Sequence, residues 1–221
     1  MEDKITMINT TKTSKIDELI KKHCPNGVEF KPLGKFIEIY TGSQFNRQNM
    51  QEIGDYPCIN GGIAPSGYTD KYNEPENTIT ISQGGASAGY VNFIKVKFWA
   101  GAHCFIVRSN TKELDNRYLY FFIKNKESKL MEQKQGAGIP GLNRDKVKKL
   151  EIPVPPLEAQ KEIARILDIF TELEAELEAE LEARTKQYEY YRNSLLSFED
   201  KTIQVEWKTL GEVCIKTENI K

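Results

Sequence analysis

The chain has 221 residues, 39% of them hydrophobic and 10% aromatic, which suits a folded core and excludes a disordered composition. Its formal net charge of −1 conceals an asymmetry, and no apolar run reaches the roughly 18 residues of a membrane-spanning helix. The four cysteines (Cys24, Cys58, Cys104, Cys214) are scattered without a CxxC pair, which excludes a zinc site or disulfide framework and reads as a reduced, cytoplasmic protein.

The first segment, residues 1–27, is polar at its start, without the apolar centre of a secretory signal. Ser14 to Cys24 predicts a short amphipathic helix. Ser14 serves as N-cap, Ile16, Leu19 and Ile20 share a face, and Pro25-Asn26-Gly27 stops it. Residues 28–155 are rich in strand signals. Thr78-Ile79-Thr80-Ile81 alternates, Gly89-Tyr90-Val91-Asn92-Phe93-Ile94 follows a glycine cluster, and Phe105-Ile106-Val107 is a further short strand. Tyr118 to Gln133 has a helical pattern, with Leu119, Phe122, Ile123, Leu130 and Met131 on one side. Ile152-Pro153-Val154-Pro155-Pro156 predicts an extended edge and a hard stop, because each proline fixes φ and removes a donor.

Charge follows the same division. Val28 to Leu150 holds 17 Lys and Arg against 12 Asp and Glu, whereas Glu151 to Asp200 holds 5 against 13. A mildly basic body followed by an acidic segment suggests two units with different partners. Lys124 to Lys149 concentrates eight basic residues against three acids. Such a cluster can follow a phosphate backbone, or it is an ordinary solvated lysine face.

Residues 156–200 predict a long helix opened by Pro156 and free of Pro and Gly from Leu157 to Phe198. Ile163, Ile166, Phe170, Leu173, Leu177, Leu181, Tyr188, Tyr191 and Leu195 recur at heptad spacing with one four-residue stutter. So narrow a seam on so long a helix calls for a partner. Within it Glu-Leu-Glu-Ala occurs three times in succession from Glu172 to Ala183, a unit close to one helical turn and suited to a spacer. Residues 201–221 start a second copy of the plan. Val205-Glu206-Trp207-Lys208-Thr209-Leu210-Gly211 echoes Val28-Glu29-Phe30-Lys31-Pro32-Leu33-Gly34.

Two stretches carry a family resemblance. Cys24 to Gly34 resembles the opening of a target-recognition domain in specificity subunits of type I restriction–modification systems. Gly141-Leu142-Asn143, followed by Ile152-Pro153-Val154-Pro155-Pro156-Leu157-Glu158-Ala159-Gln160-Lys161-Glu162-Ile163-Ala164, resembles that domain's passage into the family's conserved helix. Full members carry two recognition domains and two conserved helices that pair antiparallel. This sequence carries one of each, as a half-subunit, a truncated product or an expressed fragment would.

The resemblance implies an α+β (mixed α/β) fold, a β-rich recognition domain followed by a long coiled-coil helix. It implies recognition of half of a bipartite double-stranded DNA target, with no catalytic group, metal or cofactor in this chain. S-adenosylmethionine is expected in the partner modification subunit, and a restriction subunit adds cleavage. A homodimer, or pairing with another half-subunit, would supply the missing helix. The alternative is a coiled-coil assembly scaffold that reads no DNA. Base readers should be polar side chains on exposed loops, because only base edges carry sequence information. The candidates are Ser43, Gln44, Asn46 and Arg47; Asn60; Ser66 and Tyr68; Gln83 and Ser87; Lys134 and Gln135; and Arg144. Arg47 suits guanine, Gln44 or Asn46 adenine, and Lys134 phosphate. Enzyme motifs are missing. Gly84-Gly85-Ala86-Ser87-Ala88-Gly89 lacks the phosphate-loop Lys, and His103-Cys104 are strand neighbours that point to opposite faces.

Overall fold

The computed structural model describes residues 12–133, 140–198 and 205–214. It has an α+β architecture and divides into two units, Met1–Phe170 and Thr171–Lys221. Lys134 and Gln135 lie outside the described residues, as do the segment before Lys12 and most of 201–221. Among the described residues no helix is long and apolar enough to cross a membrane.

In the first unit, α1 (Lys12–His23) begins two residues before the expected cap, so Ser14 lies inside the helix rather than at its start. The strands are β1 (Phe30–Pro32), β2 (Ile37–Thr41), β3 (Tyr56–Ile59), β4 (Tyr68–Thr69), β5 (Thr78–Ser82), β6 (Val91–Ile94), β7 (Trp99–Ala100), β8 (Cys104–Ser109) and β9 (Glu151–Pro153). They form an antiparallel sheet of order β2-β8-β5-β6, a smaller sheet of order β4-β3-β7, and the pair β1-β9. The helices are α2 (Asn116–Asn125), α3 (Glu127–Glu132), α4 (Arg144–Lys148) and the start of α5 (Leu157–Ser197).

The larger sheet is covered on both faces. On one side Ile37, Ile39, Ile79, Ile81, Phe105 and Val107 pack with Leu119 and Ile123 of α2 and with Leu130, Val147 and Ile152. On the other, Ile94, Cys104 and Ile106 pack with Ile59, Phe98 and Ala100 of the smaller sheet. This double cover explains why all five residues of β5 are buried. The alternation of Thr and Ile marks a strand, but here the Thr side meets protein rather than water.

The expected single helix from Tyr118 to Gln133 is two helices. The chain breaks at Lys126, with φ −102° and ψ 5°. Beyond the break Glu127 accepts from the Val91 N–H (2.7 Å) and from Lys124 (2.6 Å), which swings α3 round so that Leu130 enters the core. Gly89, at φ +97°, lets α3 approach; a Cβ there would stand 2.7 Å from the Met131 nitrogen.

The two stretches that carry the family resemblance are neighbours in space. β1 pairs with β9 through Phe30↔Pro153, Lys31↔Ile152 and Pro32↔Glu151. The Leu33 N–H donates to Leu150 (2.7 Å) and the Val154 N–H to Glu29 (3.0 Å), closing the domain where it opens. Gln160, one turn into α5, is fully buried. Its amide donates to the carbonyls of Glu113 and Pro155 (2.8 Å each), and its oxygen accepts from the Asp115 N–H (2.8 Å). Asp115 in turn caps α2 through the Arg117 and Tyr118 N–H groups. Arg117 lies over the rings of Phe93, Tyr120 and Phe121 and pairs with Asp168 of α5. The glutamine of the closing motif thus fastens the first turn of α5 to the domain.

In the second unit α5 continues to Ser197, and a capping box at Thr209 starts α6 (Leu210–Val213). This short helix stands where Leu33-Gly34 of the first copy begins a 3-10 turn (Leu33–Lys35). Leu173 is buried, whereas Leu177, Leu181, Tyr188, Tyr191 and Leu195 are all at least half exposed.

Candidate nucleic-acid interface

The strand register brings several loops to one end of the larger sheet. β2 ends at Thr41 opposite Phe105, and β5 ends at Ser82 opposite Cys104, where β8 begins. The segments 42–50, 83–90 and 101–103 therefore leave the same edge. β3 runs parallel to β7 through Cys58↔Trp99 and Ile59↔Ala100, which delivers the 60–67 loop to the same place.

These loops are fastened to one another by polar contacts. The Ser43 N–H donates to the Ala100 carbonyl (2.9 Å) and the Gly42 N–H to Cys104 (3.2 Å). Gly42 is tightly fitted, since a Cβ there would fall on the Ala100 carbonyl. The Gly101 N–H donates to Ile59 (2.8 Å), and Asn60 Oδ1 accepts from the His103 N–H (3.3 Å). Ser82 and Ser87 both donate their hydroxyls to the Gly61 carbonyl, Ser87 at 2.7 Å. The Gln83 N–H donates to His103 (2.9 Å), and its carbonyl accepts from Leu142 (2.7 Å). The Gly85 N–H donates to Pro140 (2.9 Å), so the segment leading to α4 and Arg144 joins the same cluster.

A groove of about 390 Å³ lies among these loops, lined by Gln44, Phe45, Arg47, Met50, Asn60 and Ser66. Four of the expected base readers, Gln44, Arg47, Asn60 and Ser66, thus share one concavity. Arg47 opens a 3-10 turn (Arg47–Asn49) and, like Gln44 and Ser66, is exposed. Asn60 is half-buried and already accepts from His103. Ser43 and Asn46 are exposed but are not among the groove's walls, and Tyr68 is exposed on β4, its backbone paired with Gln51 in both directions at 2.8 Å. Ser87 is turned inward onto Gly61, and Gln83 is half-buried. Arg144 is exposed at the start of α4, its guanidinium 5.9 Å from the Phe105 ring centre.

The basic cluster from Lys124 to Lys149 is not a continuous solvated face. Lys124 is half-buried, paired with Glu127 and bonded to the Val91 carbonyl (3.1 Å). Arg144 and Lys149 are exposed. The groove is also lined by two apolar residues that are not among the expected polar readers, Phe45 and Met50. Phe45 stood inside the exposed polar stretch. Its ring packs on Trp99 (4.8 Å between centres), which is remote in sequence and gave no local signal.

The cysteine at this end is inert. Cys104 is buried, and desolvation pushes its thiol up to about 12, while the neighbouring His103 is exposed. The pair therefore does not form a nucleophile and base.

A family model described as the type I restriction modification DNA specificity domain matches residues 25–183. The chain is 44% identical over 102 residues to the EcoR124I/EcoR124II specificity subunit of Escherichia coli, covering 44% of this chain and 24% of that protein. It is 30% identical over 158 residues to the MjaVIII specificity subunit of Methanocaldococcus jannaschii, covering 67% of this chain and 37% of that protein. An alignment of 198 residues to a Haemophilus influenzae relative takes in 84% of this chain and 50% of the other. The chain thus spans about half or less of the length of these relatives. The crystal structure of a type I restriction–modification S subunit from M. genitalium superposes with a TM-score of 0.64 at 26% identity, over 79% of this chain and 48% of that one.

Proposed function

The chain belongs to the type I restriction–modification DNA specificity family, and from that premise we propose that it reads one half of a bipartite double-stranded DNA target. It performs no chemistry itself. It holds modification subunits, which bind S-adenosylmethionine and methylate adenine, on that target, and a restriction subunit joins the same assembly.

The observation that carries this reading is the groove. Reading bases requires donors and acceptors displayed on an exposed surface yet fixed in position. Gln44 and Arg47 are exposed side chains on a loop whose backbone is bonded to β7 and β8. Arg47 suits guanine O6 and N7, and Gln44 suits adenine N6 and N7. Asn60 and Ser66 complete the polar wall, while Phe45 and Met50 supply the apolar surface that a thymine methyl takes. Arg144 is assigned to a further DNA contact, and Lys134 and Gln135, on the sequence alone, remain candidates for DNA contact, Lys134 with phosphate.

The long helix is assigned to pairing. Leu177, Leu181, Tyr188, Tyr191 and Leu195 form an exposed apolar series flanked by glutamates, which disfavour a parallel pair in register. A second copy in antiparallel orientation satisfies this face and closes the assembly with twofold symmetry. Two identical readers related by a twofold axis select an interrupted palindrome.

Selection of bound duplexes from a randomised pool, with a modification subunit present, tests the reading. A bipartite consensus is the expected result. Binding without sequence preference would leave a coiled-coil scaffold as the function.

A further inference from the structure

We infer that Trp99 is a positioning residue for base recognition and that strand β7 couples two reading loops, so that they select bases as one unit. This inference rests on the DNA-reading proposal above. Trp99 does not line the groove; it acts through residues that do. Its indole N–H donates to the Ser43 carbonyl (3.1 Å), and its ring packs against Phe45. One side chain therefore holds both the backbone before Gln44 and the side chain after it.

The neighbouring Ala100 holds the rest. Its carbonyl accepts from the Ser43 N–H (2.9 Å) and from Asn73 Nδ2 (3.0 Å), and its N–H donates to Asn73 Oδ1 (2.7 Å). The strand is thus clamped at both the N–H and the carbonyl of Ala100 by a two-point amide contact. Through Cys58↔Trp99 and Ile59↔Ala100 the same two residues fix the end of β3, from which Asn60 emerges. Gly101 then packs directly on the Asn60 amide, with no room for a Cβ. Gln44 and Arg47 on one loop, and Asn60 on the other, are therefore both referenced to two residues of β7. A shift of Trp99 moves both sets together, whereas loss of one reader moves only its own contact.

The test compares Trp99→Phe, Trp99→Ala, Arg47→Ala and Asn60→Ala in the full chain with a modification subunit. Duplexes selected from a randomised pool are sequenced, and affinity for an unrelated duplex is measured at the same salt concentration. Trp99→Phe keeps a smaller aromatic ring and loses the N–H. Its preference should relax about fivefold over adjacent positions of the half-site, the factor expected for one lost hydrogen bond. Trp99→Ala should relax it further, and affinity for unrelated DNA should hold for both. Arg47→Ala and Asn60→Ala should each relax a single position. Parental selectivity in Trp99→Phe would overturn the inference even if Trp99→Ala does not fold. Relaxation that leaves untouched the position relaxed in Asn60→Ala would overturn the coupling. A parent chain with no preference would instead remove the DNA-reading proposal, and this inference with it.

Discussion

Gln160 lies at the junction that fastens the first turn of α5 to the domain, and its replacement has a calculable cost. The side chain is fully buried and makes three hydrogen bonds of 2.8 Å, to the Asp115 N–H and to the carbonyls of Glu113 and Pro155. In Gln160→Ala all three backbone groups lose their partner, that of Pro155 in a buried place and those of Glu113 and Asp115 in partly buried ones. Leaving a buried donor or acceptor unsatisfied costs about 1–3 kcal/mol, more for a donor than for a carbonyl with a second lone pair. The sum is roughly 3–5 kcal/mol, a large part of the 5–15 kcal/mol typical of a domain. Gln160→Glu keeps the shape but sets a carboxylate against two carbonyls, so it should be no milder. Urea unfolding of parent and variants at one protein concentration measures the loss. A change below about 1 kcal/mol in both would refute the assignment, because it would mean that the bonds are readily replaced.

Arg47→Ala should weaken or relax recognition by about 1–3 kcal/mol at one base position, measured by competition with duplexes altered at each position. Deleting Glu176 to Ala179 should keep both half-site sequences and shorten the gap between them by one or two base pairs. The helix loses roughly 6 Å, and DNA rises about 3.4 Å per base pair; an unchanged gap in the methylated sites would sink the spacer assignment. Light scattering at micromolar concentration should give a dimer, which Leu177→Lys with Leu181→Lys should dissociate; a stable parental monomer would contradict the pairing. Burial raises the Tyr118 hydroxyl to about 12, and that hydroxyl donates to the Pro153 carbonyl (3.0 Å). A proton held more tightly in the folded state gives stability that is complete below the unfolded value near 10 and falls as pH rises from there towards 12. Tyr118→Phe should flatten this part of the alkaline unfolding profile.

The parts of the fold that were legible in the sequence are those with a strong local period or a hard stop. The run from Leu157 to Phe198 without Pro or Gly marked α5, which ends at Ser197, three residues short of the expected 200, and Pro153 to Pro156 marked where it begins. Strands β5, β6 and β8 stood out for their β-branched content. Strands β3, β4 and β7 did not, because two to four residues carry no period. The break at Lys126 was invisible because its cause lies across the fold, where Val91 draws Glu127. The same is true of the groove. Gln44, Arg47, Asn60 and Ser66 were each legible as exposed polar loop residues, but their common wall follows from the pairing of β2 with β8 and β3 with β7. Ser87 shows the opposite case, a polar loop residue whose hydroxyl serves the Gly61 carbonyl.

The most direct test of the central claim is to map methylated adenines in cells that express this chain with its modification subunit. Methylation is expected at an interrupted palindrome, with a changed half-site sequence when residues 42–49 are exchanged for those of a relative. Methylation that is the same with and without this chain, or is unaffected by that exchange, would contradict that claim.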